Sequence, residues 1–163
     1  MFKGIILHWT AGNYKPSSHD LKCYHFLIDG DGNIHKGVFD PRDNEKIIGN
    51  KYAAHCGGGN TGRIGISLCC RRTIYQPPLK IQIERMCELA AKLCFKYGIT
   101  PDKCMTHAKF GVLNPNTTSS GKIDINSIPY ENKTGIEECN KYLQQKIQWY
   151  YNEMKNGKRK KTL

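Results

Sequence analysis

Six histidines occur in 163 residues, and two of them, with one aspartate, stand where a metal ion could be held. His8 closes the apolar run Lys3 to Trp9, just before the turn signal Thr10-Ala11-Gly12-Asn13. His107 closes the short run Cys104 to His107, and Asp124 lies in Gly121-Lys122-Ile123-Asp124-Ile125. Two imidazoles and one carboxylate are a common catalytic set for zinc, with a fourth position left open to water. Other features leave the point open. The three residues are far apart in the chain, no His-Glu-x-x-His motif occurs, and a histidine is more often structural or exposed than a ligand.

The elements that would position these groups are legible from pattern. Lys3 to Trp9 alternates and is rich in Ile and Leu, so it reads as a buried strand. A short helical turn is expected near Ser18 to Cys23. Tyr24-His25-Phe26-Leu27-Ile28 and Ile34-His35-Lys36-Gly37-Val38 flank Asp29-Gly30-Asp31-Gly32-Asn33, which predicts a β-hairpin. The same five residues lack the spaced acidic ligands and closing Glu of a calcium loop. Gly57-Gly58-Gly59-Asn60-Thr61-Gly62 reads as a flexible loop before a strand over Arg63 to Cys70, and with no Gly-Lys-Ser/Thr after it, it is not a P-loop. A helix opens after Pro77-Pro78, carries Leu79, Ile83, Met86, Cys87, Leu89, Ala90, Leu93, Cys94 and Tyr97 at helical spacing, and stops at Gly98. Cys104 to His107 is read as a strand, Phe110 to Ile125 as a long polar loop, and Thr134 to about Met154 as a closing helix. This order implies an α/β fold: one domain over 1–155, with a central mixed β-sheet flanked by helices, and a basic C-terminal tail over 156–163.

Composition sets outer limits. The net charge of +11 suits either a polyanionic partner or a basic surface with no specific partner. Its one dense run, Lys158-Arg159-Lys160-Lys161, reads as a frayed tail. Apolar runs are too short for a membrane span, and the N-terminal stretch reads as a strand and not as a signal peptide. Eight cysteines form no C-x-x-C, which argues against a structural zinc knot. Reduced thiols are expected, with Cys87 and Cys94 on the core face of one helix.

An ordered set of short matches narrows the reading. Ile6-Leu7-His8-Trp9-Thr10-Ala11-Gly12, Tyr24-His25-Phe26-Leu27-Ile28 with Asp31-Gly32, Ala54-His55, Asn60 with Ile64-Gly65-Ile66, Thr106-His107 and Lys122-Ile123-Asp124 follow one another over roughly residues 3 to 130. In this the chain resembles the zinc-dependent N-acetylmuramoyl-L-alanine amidases, the family of phage amidase lysozymes and animal peptidoglycan-recognition proteins. The resemblance implies that His8, His107 and Asp124 are the Zn2+ ligands. It implies a catalytic Tyr24, near the reacting water, with an aromatic strand residue packed half into the core as the alternative, and it places His55 and Asn60 on a wall of the substrate groove, where a plain loop or turn role is the alternative. Lys122 and Asp124 are two apart, so in an extended segment their side chains share one side. With Asp124 on zinc, Lys122 would stand beside it as a catalytic cation for the oxyanion formed when water attacks an amide carbonyl, with an exposed loop lysine as the alternative. His25 faces away from Tyr24 and reads as structural. Two departures stand out. Some relatives carry Glu directly after Ile-Gly-Ile, where this chain has Ser67, so the group that takes the water's proton is left open. The Phe110 to Ser120 stretch is longer than in the smallest phage enzymes.

The expected function is hydrolysis of the amide between N-acetylmuramic acid and L-alanine in peptidoglycan, as a phage or prophage endolysin. Such an enzyme would be made in the cytoplasm and act on the cell wall after release, as a monomer that does not insert into the membrane. The alternative is a peptidoglycan-recognition module that binds without cutting. Specific nucleic-acid binding is not expected, because no recognisable nucleic-acid motif accompanies the charge.

Overall fold

The computed structural model describes residues 1–163 except Thr73. Its centre is a five-stranded sheet in the order β3-β2-β4-β1-β5. The strands are β1 (Gly4–Trp9), β2 (Phe26–Ile28), β3 (Ile34–Lys36), β4 (Arg63–Leu68) and β5 (Cys104–Thr106). β1 runs parallel to both β4 and β5, β2 runs parallel to β4, and only β3 is antiparallel, paired with β2. The mixed sheet expected from the sequence is therefore present. β1 is buried at every position, as a parallel strand covered on both faces must be.

The period-two rule assigns the two faces. Ile5, Leu7, Ile64, Ile66, Leu68, Phe26 and Ile28 face a large core built with helices α2 (Lys80–Tyr97) and α4 (Ile136–Lys155). The alternate residues of β1 and β4, including Ile6, His8, Gly65 and Ser67, face the other way. There Ile6 packs with Cys56 and Phe110 in a smaller cluster. The second face is covered mostly by loop and by α3 (His107–Leu113), and it is where the polar chemistry collects.

Helix α2 matches its predicted span, and Gly98 ends it in the left-handed region at φ 65°, where glycine carries no Cβ penalty. The fully buried Gln82 of α2 donates from Nε2 to the carbonyls of Ile28 and Cys69, both at 3.0 Å, and so ties the helix to the ends of β2 and β4. Helix α1 (Ser18–Cys23) carries a reciprocal capping box between Ser17 and Asp20. In the hairpin turn Gly32 takes φ 83°, and the buried Asp29 carboxylate accepts from the backbone N–H of Asp31 and Asn33, so it serves the turn itself.

Four details differ from the sequence reading. His107 does not end a strand; it is the first residue of α3, which Thr106 caps by accepting from the N–H of Lys109 at 3.1 Å. The supposed loop from Phe110 therefore begins as helix. A two-stranded ribbon, β6 (Ser127–Ile128) with β7 (Lys133–Thr134), precedes α4. The glycine-rich loop is a packed one: a Cβ on Gly57 would lie 1.8 Å from Thr118 Oγ1, and one on Gly58 would lie 2.4 Å from Thr117 Cγ2. None of the eight cysteines is in a disulfide; seven are buried, Cys87 and Cys94 among them, and fill core space as small apolar groups.

Candidate metal centre

β1 and β5 are parallel neighbours, with Leu7 opposite Thr106. The next residues, His8 and His107, therefore emerge together at the carboxyl ends of the two strands. Their ring centroids are 4.6 Å apart. Asp124 arrives from the far side of the 114–123 loop, and its carbonyl accepts from the N–H of Ala108 at 2.7 Å, which pins it to the first turn of α3. Nδ1 of His8 lies 3.3 Å from Asp124 Oδ2, and Nδ1 of His107 lies 3.4 Å from the same oxygen. The three side chains each offer one ligand atom, all within 4.8 Å of one another. The sequence had named these three, and the fold brings them together.

Both histidines are anchored through their other nitrogen. His8 Nε2 meets His55 Nδ1 at 3.1 Å, and His55 Nε2 lies 3.3 Å from the carbonyl oxygen of Arg63. His107 Nε2 meets Ser119 Oγ at 2.9 Å, and Ser119 Oγ donates to the carbonyl of Gly57 at 2.7 Å. A third layer follows. His25 accepts from the N–H of Gly65 at its Nδ1 and pairs through Nε2 with Asn44 Oδ1 at 3.0 Å. Asn44 in turn holds both the N–H and the carbonyl of Ala53 and the carbonyl of Asn60. His25 is thus structural, as expected.

Burial sorts the charges. Desolvation lowers His8 to about 4, against a smaller raising effect from Asp124, so its ring is neutral near pH 7. Burial also lowers His25 to about 4 and holds His55 well below the usual histidine range. For His107 burial pulls downward, but hydrogen bonding to Asp124 and Cys56 outweighs it and raises the ring to about 9. Asp124 shows the mirror image: burial pushes up, and the two imidazoles hold it well below the ordinary carboxylate range. The Tyr24 hydroxyl is pushed above its ordinary value, first by burial and then by the charge of Asp124. At neutral pH it is a donor and not a base.

Tyr24 is the C-terminal cap of α1, just ahead of β2, and its ring centroid is 5.1 Å from that of His8. Lys122 is exposed on the 114–123 loop, and Asp124 lies in a turn and not in the extended segment assumed from spacing. His55 is only 6% exposed, with both ring nitrogens against protein groups, behind His8 and not on an open wall. Asn60 closes the 56–60 turn by accepting from the N–H of Cys56 at 2.7 Å. Ser67, where some relatives carry Glu, is fully buried beside His8, and its Oγ has no hydrogen-bond partner among the described residues. Sequence reasoning missed Ser119; it sits in a polar stretch, Asn116-Thr117-Thr118-Ser119-Ser120, where no residue is distinguished by type.

Known structures share this fold. No curated relative matches the chain in sequence. Among solved structures, PlyL superposes with a TM-score of 0.57 at 18% identity, covering 90% of this chain and 83% of that one. The Staphylococcus aureus hydrolase AmiA, solved with its ligand, gives 0.58 at 14% identity, covering 95% and 75%. The Escherichia coli amidase AmiD, solved with an anhydro-muramyl peptide, gives 0.47 at 21% identity, and this chain spans about half of it, 48%. The N-acetylmuramoyl-L-alanine amidase family pattern matches residues 2–124, which takes in His8, His107 and Asp124, and on that match the chain belongs to the N-acetylmuramoyl-L-alanine amidase family.

Proposed function

We propose that the protein is a zinc-dependent amidase that cleaves the lactyl amide between N-acetylmuramic acid and L-alanine in peptidoglycan. The observation that carries this reading is the spacing of the ligand atoms. Zinc bonds of about 2.0–2.1 Å at the tetrahedral angle put neighbouring ligand atoms about 3.3–3.4 Å apart. The two Nδ1–Oδ2 separations are 3.3 and 3.4 Å. A charge-assisted N–H···O bond is shorter, about 2.7–2.9 Å, so both contacts are long for a direct hydrogen bond and leave the spacing that a shared ion needs. The Asp124 carboxylate is a hard but acceptable zinc ligand.

Zinc held by His8, His107 and Asp124 would supply Lewis-acid chemistry, polarising an amide carbonyl and acidifying water. The chain's own groups do the rest. Tyr24, kept protonated, donates a hydrogen bond toward oxygen charge that develops beside His8. Lys122, on the rim, adds positive potential over the same point. Asn60 holds the turn that borders the site. Ser67 is no base at neutral pH, so it does not take the water's proton.

The net charge of +11 supports action on an anionic envelope, and we extend the reading to a phage or prophage endolysin acting on the cell wall. No helix among the described residues is long and apolar enough to cross a membrane. Purified peptidoglycan treated with wild type should release free stem peptides with new L-alanine amino termini by mass spectrometry, and Asp124→Ala should release none. Disaccharide products would make it a glycosidase. Binding without new termini would make it a recognition module.

A further inference from the structure

Two hydrogen-bond chains lead away from the ligand triangle, and chemistry fixes the direction of each at its far end. His55 Nε2 faces the carbonyl oxygen of Arg63 at 3.3 Å. A carbonyl only accepts, so Nε2 carries the hydrogen. A neutral imidazole has one N–H, which leaves His55 Nδ1 as a lone pair. That lone pair faces His8 Nε2 at 3.1 Å, so His8 donates from Nε2 and its Nδ1 is bare. The bare atom is the one 3.3 Å from Asp124.

The second chain fixes the Nε2 hydrogen of His107 by other means. Ser119 Oγ lies 2.7 Å from the carbonyl of Gly57 and donates its single hydrogen there. Toward His107 Nε2, at 2.9 Å, it can then only accept. His107 therefore keeps its hydrogen on Nε2 and turns Nδ1 to Asp124 at 3.4 Å.

Reversing either chain is costly. A hydrogen on His8 Nδ1 would set the His55 Nε2 lone pair against the Arg63 carbonyl in a buried place, which leaves acceptors unpaired at about 1–3 kcal/mol. The backbone is shaped around both anchors. A Cβ on Gly65 would stand 2.6 Å from Cγ of His55, and one on Gly111 would stand 2.1 Å from the Ser119 carbonyl oxygen. Glycine at these two places lets the anchors sit against β4 and α3.

We propose that His55 and Ser119 are a matched pair of positioning residues that fix the tautomer and rotation of His8 and His107, so that both present Nδ1 to one point. This rests on the zinc reading above and gives His55 a role other than substrate contact. Orienting partners of this kind are worth roughly 10–100-fold in metal affinity.

Zinc dissociation constants, measured by competition with a chromophoric chelator, should weaken roughly 10–100-fold in His55→Leu and in Ser119→Ala. Circular dichroism checks that each variant is folded. His55→Asn, whose side-chain carbonyl restores an acceptor near the Nδ1 position, should recover most of the affinity. Long-range proton–nitrogen NMR of the zinc-loaded wild type should show metal on Nδ1 and hydrogen on Nε2 of both His8 and His107. Coordination through Nε2 of either ring overturns the proposal, as do folded variants with wild-type zinc affinity. The NMR result decides alone if His55→Leu does not fold. A wild type that binds no zinc would bring down the zinc reading itself, whereas tight wild-type binding with indifferent variants would bring down only this pair.

Discussion

Each group of the candidate site owes its state to its immediate surroundings. Tyr24 lies beside His8, is half-buried, and is kept protonated by that burial and by the negative charge of Asp124. On the function proposed above its role is to donate, and donors that act on developing charge show themselves in turnover more than in binding. Tyr24→Phe should therefore lower kcat by about 10²-fold, in the range of a lost oxyanion donor, with little change in KM. Steady-state kinetics on a soluble muropeptide separates the two constants. An unchanged kcat would return Tyr24 to the status of an aromatic packing residue. Lys122 is solvent-exposed, so its removal should matter less and its effect should fade with added salt.

At the scale of elements, the sheet and two long helices put the candidate ligands in place, and local rules explain their ends. Gly98 is a clean case. It holds φ 65°, and a Cβ there would meet nothing within 4 Å, so Gly98→Ala isolates backbone strain, about 1–2 kcal/mol. Urea unfolding should show that loss with zinc affinity intact; a neutral substitution would mean that the helix ends elsewhere. Gly98 was legible from sequence, as were β1, the hairpin and both long helices, because each carries a clear period and clear stop signals. α3 was not legible. Its seven residues, His107-Ala108-Lys109-Phe110-Gly111-Val112-Leu113, are too few to show a period, and Gly111 argues locally against helix. The ribbon of β6 and β7 has only two residues per strand. The candidate site divides along the same line. His8, His107 and Asp124 were readable because their types announce metal chemistry and the resemblance placed them. The anchoring by His55 and Ser119 was not, since the direction of a hydrogen bond is a property of three dimensions.

Over the whole molecule, four imidazoles lie in a row behind and within the site, with centroid separations of 5.5 Å from His25 to His55, 5.2 Å from His55 to His8, and 4.6 Å from His8 to His107. Three of them are held neutral by burial. Their folded pKa lies below the unfolded value of 6.5, so below pH 6.5 the unfolded chain binds more protons and stability falls as pH falls. His8 and His25, both lowered to about 4, should each cost on the order of 3 kcal/mol by pH 4. His107 works oppositely: its contribution is complete below pH 6.5 and is lost as pH rises through about 9. Metal-free protein should thus unfold more easily between pH 6.5 and 4 in thermal scans, and His25→Gln should flatten that slope; a flat acid limb in the wild type would contradict the buried neutral row. The basic tail takes part in the fold as well: Arg159 lies 5.3 and 4.9 Å from the ring centres of Trp149 and Tyr150, and Lys161 lies 4.9 Å from that of Phe95.

Anomalous diffraction at the zinc edge, from a crystal of zinc-loaded protein, tests the central claim most directly. The account predicts one strong peak bonded to His8 Nδ1, His107 Nδ1 and a carboxylate oxygen of Asp124. A peak on other residues, or none at full zinc saturation, would contradict it.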